Sequence, residues 1–162
     1  MQLERTGPFV PPLTFPAIAE VVATSSFRKA LERSPLTGLS FQEARIITAV
    51  NLHWETWDRT PRLPPVIPPS GEPEDFVPVG GHDPECAKAI GQLWEVKASS
   101  CGVGASRMLG FRRYSYSVDV PPEHPDFFRA TGLAPMLVSE TARAWLIEAA
   151  PDWVAFEAIT QN

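Results

Sequence analysis

The residues of this chain with chemistry to offer are few and scattered. His53, Glu55 and Asp58 fall close together in "HWETWD", a set suited to a general base or a metal. The surrounding run "ARIITAVNLHWETWD" alternates, with Val50, Leu52 and Trp54 on one side and Asn51, His53 and Glu55 on the other. That pattern predicts a half-exposed strand, on which His53 and Glu55 form a solvated face. His82 and Cys86 in "HDPEC", Cys101 in "SSCG" and His124 make up a possible zinc set. Zinc ligands normally come in tight pairs such as C-x-x-C, and no pair here is that tight, so both cysteines read as structural thiols and no metal is expected. The glycines of "CGVGASRMLG" lack the spacing and the flanking strand and helix of a phosphate loop. No histidine has an orienting carboxylate at a motif spacing. No catalytic residue and no cofactor are therefore expected, and the chain reads as a non-enzyme.

A binding function is easier to read. Eight prolines between Pro61 and Pro84 exclude a helix or a central strand and predict a long loop over about 59–85. From Leu63 to Ala87 there is no Lys or Arg, while Glu72, Glu74, Asp75, Asp83 and Glu85 supply five carboxylates. Such a loop is either a solubilised connector or an acidic binding element. Trp54 and Trp57 flank it and offer aromatic anchors of the kind that dominate interfaces. With His53 and Glu55, these residues form the expected partner-binding set.

The elements that must position this set repeat along the chain. "VVATSSFRKALERSPLTGLSF" at 21–41 and "MLVSETARAWLIEAAPDWVAF" at 136–156 superpose at a constant offset of 115. Thr24 and Ser139 are the expected N-caps, since their hydroxyl oxygens can accept from the first free N–H groups of a helix. Apolar residues then recur at helical spacing: Phe27, Ala30 and Leu31, and again Ala142, Trp145, Leu146 and Ala149. Pro35 and Pro151 stop the two helices. Leu39 with Phe41, and Val154 with Phe156, predict a strand after each stop. Further strands are expected at "QLWEVKA" and "MLGFRRYSYSVDV", and "PPEHPDFFRATGLAP" reads as a connector. The expected fold is a single α+β domain over 1–162, with a mixed, mainly antiparallel sheet and two main helices. It is built around two strand-helix-strand repeats at about 18–44 and 133–159.

Composition narrows the function classes. At 162 residues and 44% hydrophobic content, with five tryptophans, the chain can bury a full core and is not disordered. A net charge of −5 argues against nucleic acid as the main partner. No apolar stretch reaches the roughly 20 residues of a membrane span, and "MQLERTGPFVPP" lacks the order of a secretory signal, so a cytoplasmic location is expected.

The succession "HDPEC", "SSCG", "HPDFFRATGLAPMLVSETARAWL" and a closing "WVAFEAI" resembles the double-CXXCG motif proteins of myxobacteria. More loosely, it is similar to other immunity proteins of polymorphic-toxin loci. The resemblance covers mainly the C-terminal half, together with the earlier copy at 21–41. Ala98 stands where the first cysteine of the second C-x-x-C-G would fall, and the N-terminal half contains no C-x-x-C-G, so zinc binding is not carried over. The resemblance implies a protein that binds a cognate toxin domain and neutralises it by occluding its active or substrate-binding site. The competing class is a small-molecule-binding or enzymatic α+β domain, with a pocket between the two repeats lined by His53, Glu55, Arg112 and Arg113.

Overall fold

A computed structural model describes residues 1–52, 77–78, 80–110 and 113–161. Two long strands form its spine. β4 (Leu39–Asn51) pairs antiparallel with β5 (Leu93–Gly110), from Leu39 opposite Ala98 to Ala44 opposite Leu93. β1 (Gln2–Gly7) runs parallel to the far half of β4, while β3 (Val22–Thr24) takes the other edge of β5 and carries β2 (Leu13–Thr14). Beyond Ala98, β5 changes partners. β7 (Phe127–Thr131) joins it in parallel and β6 (Arg113–Asp119) joins it antiparallel; β8 (Leu137–Val138) and β9 (Thr160–Gln161) extend β7 and β6. The result is an α+β fold with a mixed, mainly antiparallel sheet of nine strands among the described residues.

The period-2 alternation of the spine decides what covers each face. Leu39, Phe41, Val96 and Ala98 point to one side and meet the main helices, α1 (Ser25–Arg33) and α3 (Glu140–Ala149). Ala44 and Leu93 point to the other side, where Leu3, Val22 and Ile90 pack on them. Ile90 ends a third, short helix, α2 (Pro84–Ile90). A separate cluster of Val118, Val120, Phe128, Ala130 and Leu137 fills the far half of the sheet.

The repeat is real up to the helix stops and then diverges. Thr24 Oγ1 accepts from Phe27 N, and Ser139 Oγ accepts from Ala142 N, as the capping pattern requires. Each helix ends one residue short of the position before its proline, with Ser34 and Ala150 as C-caps. Leu31 and Leu146 are both buried and meet in one cluster. The guanidinium of Arg28 lies 5.6 Å from the centre of the Phe41 ring, and that of Arg143 lies 6.0 Å from Phe156, so even the cation–aromatic contact recurs at offset 115. The second copy departs after Pro151: Val154 and Phe156 pack on the core from an irregular segment, and strand geometry returns only at Thr160.

Asp126 joins the two copies. Its Oδ2 accepts from Thr37 N and Thr37 Oγ1, both at 2.9 Å, in the turn after α1. Its Oδ1 accepts from Ser139 Oγ at 2.7 Å, the cap of α3. Burial pushes this carboxyl up, but the hydrogen bonds from Ser139 and Thr37, with His124 nearby, outweigh it and hold the group below its ordinary value.

Several expectations need correction. The proline-rich segment ends at Asp83, because Asp83 caps α2 and Pro84 occupies its first turn, where a missing N–H costs nothing. "MLGFRRYSYSVDV" is not one strand: it spans the end of β5 and the whole of β6, which pair antiparallel. "CGVGASRMLG", for which no phosphate loop is expected, lies inside β5, where Gly102 at φ 78 sits at the irregularity between Ser100 and Val103. "PPEHPDFFRATGLAP" contains β7, whose Phe127, Phe128 and Ala130 are buried.

Candidate functional site

Seven of the nine residues expected to bind a partner, His53, Trp54, Glu55, Trp57, Glu72, Glu74 and Asp75, lie outside the described residues. The other two have structural surroundings. Asp83 Oδ1 accepts from Glu85 N and Cys86 N, and the Cys86 bond leads the causes that hold its carboxyl below the ordinary range. Glu85 is exposed in the first turn of α2, 4.0 Å from Lys88 Nζ.

The candidate zinc residues are dispersed. Cys86 is buried beside the position a Gly7 side chain would take, and burial pushes its thiol up. Cys101 packs on the Val118 cluster. His82 Nδ1 accepts from Ala49 N at 3.1 Å, so that nitrogen's lone pair is occupied. His124 Nδ1 lies 2.9 Å from the Pro125 carbonyl while its ring packs on Phe128. No group of three His, Cys, Asp or Glu among the described residues could hold a metal ion.

Described side chains of the two repeats meet directly. Phe27 of α1 and Trp145 of α3 stand 5.8 Å apart between ring centres, above Ala142 and Val96. Arg112 and the side chain of Arg113, expected in a pocket there, are outside the described set.

A different surface offers more. The face of the β5–β6 hairpin that carries Val118 is buried at its base and exposed at its outer end. Gly104 pairs with Val118, Ser106 with Tyr116 and Met108 with Tyr114, so these six share one face. Val118 belongs to the core, Tyr116 is half-buried, and Tyr114 and Met108 are 44% and 65% exposed. The two tyrosine rings stack at 6.3 Å. Beside Tyr116 the face opens into a cleft of about 340 Å³, walled by Leu133, Met136 and Phe156, with Glu157 as the one charged residue among the described residues that line it. Ile18, 80% exposed, stands at the same cleft.

The walls are fixed by side chains from the sheet. Arg129 of β7 donates from Nη1 to Ala134 O at 3.0 Å and from Nη2 to Ala19 O, pinning the two loops that bring Leu133 and Ile18 to the cleft. Gly104 has no side chain, and Leu133 Cγ lies 2.3 Å from where its Cβ would be. That contact is open only to glycine. In sequence, Tyr114, Tyr116, Val118 and Val120 alternate with Arg113, Ser115, Ser117 and Asp119, and the structure carries this row from the core at Val118 out to solvent at Tyr114. The sequence signal for the exposed outer half is Arg107, itself exposed.

Among the described residues no helix is long and apolar enough to cross a membrane. In comparisons with known proteins, the chain matches no family model, no curated protein and no solved structure.

Proposed function

We propose that this chain is a protein-binding module, an immunity protein that occludes a cognate toxin domain, and that the outer hairpin face and the cleft beside it make the contact. The observation that carries the binding reading is the exposed apolar row Met108, Tyr114 and Tyr116 running without a break into the cleft at Leu133 and Ile18. Isolated exposed apolar residues are ordinary, whereas a connected aromatic row ending in a concave site matches the anchor-and-pocket anatomy of interfaces. The toxin as partner comes from the resemblance at "HDPEC", "SSCG" and the C-terminal segment. Glu72, Glu74 and Asp75 are a second contact surface in this proposal.

A pull-down and a growth-protection assay against the product of the adjacent gene test both surfaces. Tyr114→Asp with Met108→Asp is expected to weaken capture by about tenfold or more, since each interfacial anchor contributes on the order of 1–2 kcal/mol. Reversal of Glu72, Glu74 and Asp75 to lysine is expected to slow association mainly at low salt. A wild-type chain that captures and protects against nothing encoded beside it contradicts the immunity reading.

A further inference from the structure

Among the described residues the hairpin has an open edge as well as an apolar face. Val103 is the last β5 residue with neighbours on both sides, Asp119 of β6 and Thr131 of β7. β7 stops at Thr131, so from residue 105 to 110 the outer edge of β5 has no strand beside it among the described residues. Ala105, Ser106, Arg107 and Met108 are all exposed. An unpaired, solvent-facing strand of this length is a template for another strand, because its free N–H and C=O groups are already in line.

The charges say which kind of strand. From Val96 to Val118 the chain holds none of its 19 carboxylates and four of its 14 cationic residues, Lys97, Arg107, Arg112 and Arg113. This is a basic segment in a protein of net charge −5. Arg107 is on the face opposite Met108, since successive side chains of a strand alternate. A complementary strand therefore carries apolar residues toward Met108 and carboxylates toward Arg107. Self-pairing along this edge would bring the arginines of two copies together, and like charges on adjacent strands oppose it. A nucleic acid would meet the same cations but leave the backbone edge unfilled.

We infer that residues 105–110 of β5 accept an extended, carboxylate-bearing segment of a protein partner as an added strand. This rests on the protein-binding reading above and states its mode and the partner's chemistry.

The test uses the full chain and a fluorescent peptide of alternating Glu and Val, followed by anisotropy. Saturable binding is expected. Arg107→Glu should weaken it about tenfold at about 0.05 M salt, and the difference should shrink at about 0.5 M. Peptides N-methylated at alternate residues are made in both phases: one phase should abolish binding, because it blocks the backbone edge that meets β5, and the other should not. Equal binding of both phases overturns the added-strand mode, and equal binding of a Lys–Val peptide overturns the charge assignment. Tighter binding of oligodeoxythymidine, or concentration-dependent self-association lost in Arg107→Glu, replaces the proposed occupant with a nucleic acid or a second copy. If the adjacent gene product is captured while the peptide fails, this inference falls and the binding reading stands; the converse result removes the toxin and leaves the strand site.

Discussion

Leu31 and Leu146 occupy corresponding places in the two copies, both are buried, and both reach one cluster. Truncating either to alanine is therefore expected to cost about 2–5 kcal/mol by urea unfolding, and the two losses should not add, because the side chains share neighbours. Asp126 supplies a prediction with a sign. Its folded-state pKa is depressed, so its contribution is complete above the unfolded value of about 3.9 and is lost as pH falls toward the lower folded value. Asp126→Asn should lower stability at pH 7 by on the order of 1 kcal/mol and flatten the acid limb of stability against pH. An unchanged acid limb would remove Asp126 from the link between copies. The caps, the stops and both leucines were legible from residue type and spacing. Asp126 was not, because its partners Thr37 and Ser139 lie on either side of it at distances that only the fold brings together.

At the scale of elements, local signals were read well where one element decides its own geometry. α1 and α3 follow from hydroxyl cap, apolar spacing and proline stop, and β4 follows from alternation. In the hairpin, alternation does not distinguish a row of core side chains from one that leaves the core halfway. Tyr114 and Val118 share a face, yet only Val118 has β7 and β8 packed against it. β7 was hidden among prolines whose breaking signal outweighed the buried pair Phe127 and Phe128. Gly104 tests the cleft wall at this scale. Gly104→Ala would drive a methyl group into Leu133, and a loss of about 1–3 kcal/mol is expected, with altered hydrogen exchange at 132–137. Unaltered exchange there would mean that Leu133 does not depend on the bare backbone of β5.

For the whole molecule, one consistent division emerges among the described residues. The half of the sheet under α1 and α3 holds the largest core cluster and the paired repeat, while the far half carries a hairpin with an exposed face, an open edge and a cleft at its base. The sequence resemblance supplied the expectation of a bound toxin, and the proposal adds this hairpin to the acidic segment as a contact surface. The most direct measurement is hydrogen exchange of the wild-type chain, alone and in complex with the adjacent gene product. The account predicts new protection at 105–116 and 133–137, on the hairpin and at the cleft. Protection confined to α1, α3 or the N-terminal strands, with the hairpin exchanging as in the free chain, would contradict it.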